Sequence, residues 1–265
     1  MILMPQMMRP RATTGGVIWE LKTTSASATF SMNSGCVSSD WYCELPNGTL
    51  LTPIAGNPTV NPVFDLSVNT GEAVITSTDY DNEGVLCTDF GYAWYNNSLT
   101  SFPAIDLSSG TDFSYAWYGN PLTSFPLLDI SSGTSFDRAW RGCSSLTSFP
   151  LLDISSGTKF YRAWYSCSSL TSFPANFFDS WVGVPVVKCF YQTWDGCSSL
   201  TAQSVENILV SIDASGQSAP SGTGTEVEIT VDYDAGTGAL SSATTTAITN
   251  IKGKGWGITI NGVAQ

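Results

Sequence analysis

Between residues 90 and 200 the apolar positions recur as one phrase: Phe90-Gly-Tyr-Ala-Trp94, Phe113-Ser-Tyr-Ala-Trp117, Phe136-Asp-Arg-Ala-Trp140, Phe160-Tyr-Arg-Ala-Trp164 and Phe190-Tyr-Gln-Thr-Trp194. A leucine follows each one (Leu99, Leu122, Leu146, Leu170, Leu200), and Thr-Ser-Phe-Pro follows the first four leucines, at Phe102, Phe125, Phe149 and Phe173. Leucine to leucine is 23, 24, 24 and 30 residues. A period in the twenties marks repeat architectures, in which each unit buries its apolar side only against its neighbours. Ordering one unit costs roughly 1–2 kcal/mol per residue in backbone entropy. Its about five large apolar side chains return only roughly 1.5–3 kcal/mol each, so a single unit cannot stand alone.

Stacking predicts columns of equivalent side chains: leucine, phenylalanine, tryptophan, and a small-residue column at Cys143, Cys167 and Cys197, where the first two units carry Asn97 and Asn120. Within a unit, Leu-Thr-Ser-Phe-Pro reads as a short strand ended by a proline that cannot donate to a ladder. A second extended piece ends in a glycine turn at Gly110, Gly133 or Gly157. Asp106, Asp129 and Asp153 recur beside these turns and read as capping carboxylates, because stacked like charges are costly unless each accepts local N–H groups.

Ahead of the repeats, strand-like runs at 17–21, 28–32, 41–44, 50–54, 63–68 and 73–77 alternate with turn chemistry such as Pro46-Asn-Gly48 and Asn69-Thr-Gly71, which predicts a small antiparallel sandwich. Behind them the spacing predicts a helix at 202–211, a strand at 226–231, a helix at 240–251 with Gly253 and Gly255 at its end, and a strand at 256–260. The expected domains are a flexible arm at 1–16, a β-sandwich at 17–78, the repeats at 79–200 and an α/β C-terminal cap at 201–265. The expected fold class is mainly β: a short leucine-rich-type solenoid of four to five coils between that sandwich and that cap.

The run Ala139-Trp-Arg-Gly-Cys143-Ser-Ser-Leu146-Thr-Ser-Phe149-Pro resembles the Ala-Phe-x-x-Cys-x-x-Leu-x-x-Ile-x-x-Pro pattern of BspA-like leucine-rich repeat surface proteins, with Trp in place of Phe and the proline one place early. Such repeats occur in bacterial adhesins and in tail and fibre proteins of bacteriophages. The resemblance therefore implies display and attachment, and it implies an α/β cap of the kind that follows such repeats in phage proteins. Trp41 followed by Pro-Asn-Gly-Thr also resembles the tryptophan and turn of polycystin-repeat-like sandwiches.

Composition narrows the function. Charged residues are 12% of the chain, about half the usual share, and the net charge of −12 opposes binding to a phosphate backbone. No run reaches the roughly 18–20 apolar residues of a membrane span. The start, Met-Ile-Leu-Met-Pro-Gln-Met-Met-Arg-Pro-Arg, lacks the pattern of a secretory signal. That favours a virion protein assembled in the host cytoplasm over an exported surface protein, although a truncated chain would lose a signal as well.

The chain has no histidine, which excludes Ser-His-Asp and Cys-His catalysis in their usual forms and the commonest zinc ligand. No phosphate-binding loop, dinucleotide fingerprint or Cys-x-x-Cys is present. Asp and Glu total 22, so a paired-carboxylate glycosidase stays open, but no pair has a cleft-like context. The expectation is a protein without enzymatic activity, cofactor or metal. The alternating acids Asp79, Asp81 and Glu83 lack the later bidentate Glu of an EF-hand loop and read as a solvated linker, with calcium binding left open. Of the seven cysteines, the repeated ones read as buried thiols, while Cys36 and Cys43 flank a turn and would pair if oxidised.

Interior letters hold from unit to unit, whereas the positions inside Phe-x-x-x-Trp and just after Trp vary, so these face outward. They supply the candidate binding residues Tyr95, Asp112, Tyr115, Tyr118, Arg138, Arg141, Tyr161, Arg162 and Tyr165, a set suited to glycans or protein partners. The fourth linker is six residues longer than its predecessors; read as looped out, it adds Phe177, Phe178 and Trp181. The expected function is structural and adhesive: a bacteriophage virion protein of a tail fibre, spike or tail tip. It would form a homo-oligomer and touch other virion proteins or a host surface glycan or protein, without nucleic acid or membrane insertion. The alternatives are a bacterial cell-surface adhesin of the BspA type and a phage head-decoration protein.

Overall fold

The computed structural model describes residues 19–23, 27–29, 41–51, 63–65, 73–77, 88–102, 104 and 107–265. The expected arm at 1–16, the acids at 79–83, Asp106, and Cys36 of the expected Cys36–Cys43 pair lie outside the described residues. Among the described residues, no helix is long and apolar enough to cross a membrane.

The N-terminal strands are β1 (Trp19–Thr23), β2 (Ser27–Thr29), β3 (Trp41–Glu44), β4 (Leu50–Leu51), β5 (Val63–Asp65) and β6 (Ala73–Ser77). With β7 (Leu99–Ser101), most of them form one antiparallel sheet in the order β4-β3-β6-β1-β7, and β2 pairs with β5 separately. Thus the expected sandwich is replaced, among the described residues, by a single sheet and a detached pair.

The leucine-rich-type solenoid of coil strands is overturned as well. Apart from β7, the repeats contain turns joined by isolated parallel bridges, such as Asp89 to Asp112, Asp112 to Ser135 and Ser135 to Lys159. The reason lies in the backbone of Phe-x-x-x-Trp. Its third residue is left-handed in every unit: Tyr92 (φ 59°), Tyr115 (59°), Arg138 (56°), Arg162 (54°) and Gln192 (56°). A strand needs φ near −120°, so no strand can run through this position. Instead, alternate N–H groups do different work. Those of Phe90, Tyr92, Trp94 and Asn96 donate to Asp112, Ser114, Ala116 and Tyr118 of the next unit, while Ala93 and Tyr95 close turns onto Phe90 and Tyr92. The Leu-Thr-Ser-Phe-Pro segment also fails to make a ladder after the first unit. One threonine per unit carries the contact, as in Thr171 N to Thr147 O at 2.9 Å, reinforced by its hydroxyl at 3.0 Å.

These bonds hold successive units in register, and the interior rings stack. Phenylalanine centroids along Phe90, Phe113, Phe136, Phe160 and Phe190 are 5.5–5.6 Å apart. Tryptophan centroids along Trp94, Trp117, Trp140, Trp164 and Trp194 are 5.2–5.5 Å apart. A third row, Phe102, Phe125, Phe149 and Phe173, meets the tryptophans edge-on. The small-residue slot is a donor slot: Asn120 Nδ2 reaches Trp94 O at 2.7 Å, and the thiols of Cys143, Cys167 and Cys197 reach the oxygens of Trp117, Trp140 and Trp164 at 3.0–3.2 Å. Cys143, Cys167, Cys189 and Cys197 are free and buried. Asp129 and Asp153 accept the N–H groups of Ser131 and Ser155, two residues on.

The last unit passes its bonds to the C-terminal region. There α1 (Ala202–Ala214), β8 (Glu228–Val231), α2 (Ser242–Gly253), β9 (Gly257–Ile260) and β10 (Val263–Ala264) follow, with short 3-10 turns at Gly224–Glu226 and Ala235–Thr237. Thr201 and Ser241 cap the two helices by accepting the N–H groups of Ser204 and Thr244. Val205, Ile208, Leu209 and Ile212 form the buried stripe of α1. Strand β9 pairs parallel to β8 and antiparallel to β10, giving a small mixed sheet. Trp194 N donates to Thr230 O, so β8 receives the bond that another unit would otherwise take.

The insertion after the fourth unit does not loop out. Phe177, Phe178 and Trp181 are buried, and Trp181 Nε1 donates to Gly157 O at 2.5 Å. Gly183 lets the segment cross that turn, since a Cβ there would stand 1.9 Å from Gly157 O. What this segment exposes is valine: Val182, Val184, Val186 and Val187.

Two outcomes follow from this packing. Trp140→Ala should cost about 3–5 kcal/mol, whereas Leu151→Ala, at a residue 52% exposed, should stay within about 0.5 kcal/mol; urea unfolding followed by tryptophan fluorescence measures both. Burial pushes the Cys143 thiol up to about 12 and raises those of Cys167, Cys189 and Cys197. Unfolded thiols ionise near about 8.5, so the stability held by these protonated groups is complete below that pH and drains away as pH rises towards the folded value. Between about pH 8.5 and 10.5 the urea midpoint should fall, and a Cys143→Ser, Cys167→Ser, Cys197→Ser variant should lose less over the same interval.

Candidate functional site

The outward positions of the repeats form two rows of π-systems. In the row at the third position of Phe-x-x-x-Trp, Tyr92 stacks on Tyr115 with centroids 4.5 Å apart, and the Arg138 guanidinium lies 5.0 Å over Tyr115. In the row after Trp, Tyr95 stacks on Tyr118 at 4.8 Å, and Arg141 sits between Tyr118 and Tyr165, 5.4 and 4.8 Å from their centroids. Tyr161 lies between two members of the first row, with Arg138 and Arg162 4.4 and 4.9 Å from its ring, and Arg162 reaches the second row at Tyr165, 5.6 Å from its centroid. Cation–π contacts of this kind contribute about 0.5–1 kcal/mol each where exposed and more where desolvated.

Local backbone explains why the side chains fan out this way. The left-handed φ at the third position turns its side chain away from the buried Phe and Trp, and for a non-glycine residue this conformation costs of order 1–3 kcal/mol. Stacking along the row offsets that cost. It also decides what the surface offers. Ring faces look along the stack and are covered by their neighbours, so the outward rim consists of ring edges, phenol hydroxyls and guanidinium N–H groups.

Charge is organised on the same face. Asp137 is buried and pairs with both Arg138 (2.9 Å) and Lys159 (2.7 Å). Arg162 donates from Nε and Nη2 to Gln192 Oε1 at 2.7 and 2.5 Å, and Gln192 Nε2 donates to Asp195 Oδ2 at 2.9 Å. Arg138, Arg141, Lys159 and Arg162 thus gather four of the chain's ten cationic residues on one flank. Burial raises the Tyr115 phenol above its ordinary value, and the positive charge of Arg138 works against that rise.

Of the residues expected to bind, Tyr95, Tyr115, Tyr118, Arg138, Arg141, Tyr161, Arg162 and Tyr165 come together on this face. Asp112 does not contribute a free carboxylate: its Oδ1 accepts Ser114 N at 2.8 Å and caps the local turn. Phe177, Phe178 and Trp181 are interior and leave the set. Three members were missed. Tyr92, 46% exposed, occupies the same slot as Tyr115 and could have been found from that slot alone. Tyr191 stacks against Tyr161 at 6.1 Å, and Gln192 continues the Arg162 contact; both sit inside the fifth Phe-x-x-x-Trp, at the varying positions that supply other members of the set.

Where the last repeat meets β8 and β9, a polar cleft of about 250 Å³ is lined by Tyr191, Gln192, Asp195, Glu228, Thr230, Asp232, Thr259 and Gly262. Asp232 accepts Gly196 N, and Glu228 accepts the Thr259 hydroxyl, so these carboxylates help to hold the junction. Among the described residues, no group of three Cys, Asp or Glu side chains is placed to hold a metal ion.

No protein-family model matches the chain, and no characterised protein and no solved structure is significantly similar to it.

Proposed function

We propose that this protein is a structural and adhesive subunit of a bacteriophage virion, at a tail fibre, spike or tail tip, and that the Tyr–Arg flank of its repeats makes the contact with a host surface or a neighbouring subunit. The observation that carries the reading is the flank itself. Aromatic and guanidinium groups lie in register over four units, on left-handed backbone at the third position of each Phe-x-x-x-Trp. Tyrosine and arginine dominate recognition surfaces because each gives contact area and fixed donors at low entropic cost. The repeat phrase supports attachment through its resemblance to BspA-like repeats, which occur in phage tail and fibre proteins as well as in bacterial adhesins. A histidine-free sequence supports attachment over catalysis.

The test uses a variant that respects the backbone. Asn tolerates left-handed φ, so Tyr118→Ser, Arg138→Asn, Tyr161→Ser and Arg162→Asn should together keep the fold, checked by circular dichroism and melting. Adsorption of reconstituted particles to host cells, or docking to the adjacent subunit, should drop by about tenfold or more. Mass spectrometry of purified particles should find the protein in virions. Its detection on a bacterial envelope alone, or unchanged adsorption and docking by the folded variant, sinks the proposal.

A further inference from the structure

Three guanidinium groups stand on the flank, and they differ in what they bond. Arg138 donates to Asp137, and Arg162 donates to Gln192. The Arg141 side chain has no hydrogen-bond or ion-pair partner among the described residues, while the rings of Tyr118 and Tyr165 enclose it from both sides. It is half-buried. Its two neighbours cover both faces of the guanidinium plane, so its N–H fork is held in position at the rim and is unanswered by any acceptor of the described residues. Guanidinium donors in that condition bond carboxylates more strongly than a mobile, fully hydrated cation does.

We propose that Arg141 seats the carboxylate of an acidic saccharide, a uronic-acid type of residue, with the hydroxyls of Tyr118 and Tyr165 meeting the sugar's own hydroxyls on either side. The inference rests on the flank being the contact surface and names its ligand class. Three features select this ligand. The planar fork of arginine matches a carboxylate bidentately. A net charge of −12 repels polymers with two or more sulfates or phosphates per sugar more strongly at long range than a chain with one carboxylate per sugar. An acidic peptide would draw its affinity from apolar anchors seated in pockets, and here the ring faces are already committed to one another. What the rim offers is a row of donors and hydroxyls, which a sugar can satisfy on every side.

The experiment is isothermal titration of the full chain with oligogalacturonate, with the same oligomer after its carboxyls are reduced to alcohols, with a sulfated neutral oligosaccharide of equal length, and with oligoglutamate. The expected result is binding of oligogalacturonate, at least about tenfold weaker binding of the reduced form, and a loss of similar size in Arg141→Gln. Arg141→Lys, which keeps the charge but not the fork, should fall between them and guards against a glutamine variant that misfolds. Equal binding of the reduced oligomer, preference for the sulfated sugar or for oligoglutamate, indifference to both substitutions, or no binding of any probe overturns the proposal. If those results come with lost adsorption in the four-residue flank variant, the flank binds by other chemistry and the attachment reading stands. If adsorption survives in that variant, the attachment reading falls as well.

Discussion

Everything on the flank and in the core of the repeats depends on one set of backbone hydrogen bonds, those from alternate N–H groups of each Phe-x-x-x-Trp to the carbonyls of the next unit. They hold neighbouring units at a separation that lets rings of 5.2–5.6 Å centroid spacing stack without gaps. The same spacing operates outside, where tyrosine and guanidinium planes stack in turn. Interior and exterior are therefore not independent choices: a backbone that fits the tryptophans also fits the tyrosines.

The interior shows how buried polar groups are handled when strands are absent. Each tryptophan carbonyl that points into the small-residue slot meets a donor, an amide in one unit and a thiol in three. In the fifth unit Thr193 performs the equivalent task for Phe160 O at 2.9 Å. The indole N–H groups of Trp117, Trp140, Trp164 and Trp194, by contrast, are buried without a partner. Each such donor costs about 1–3 kcal/mol, a penalty accepted because moving an indole out of line would break the stack on both of its sides.

The columns were legible in the sequence because burial imposes the same letters at every turn: Phe, Ala, Trp and Leu recur, and the period alone places them. The turn-built backbone was not legible. A left-handed residue is usually announced by glycine or asparagine, and here Tyr, Arg and Gln occupy it, which locally reads as extended chain. Phe177, Phe178 and Trp181 misled for a different reason. An insertion has no period, so nothing in the text says whether its aromatic residues face in or out; the answer comes from Gly157 O, a lone acceptor that only the folded turn brings within reach of the Trp181 indole. The outward set was readable as variable positions. Its grouping into rows, and the isolation of Arg141 within them, depend on side-chain geometry that variation alone does not carry.

The bonds between units also have a direction. Each Phe-x-x-x-Trp gives its N–H groups to the unit after it, the threonines give theirs to the unit before, and β8 accepts from the last Phe-x-x-x-Trp through Thr230 O. Any unit thus presents one fixed set of donors and acceptors to its predecessor and another to its successor. Units of 23 and 24 residues already stand next to one another in this chain. Duplication or loss of a whole unit would leave both ends with familiar partners, while adding or removing one rung of outward side chains. Such a molecule can change what it touches by recombination between its own copies, in steps that leave the interior bonding unaltered.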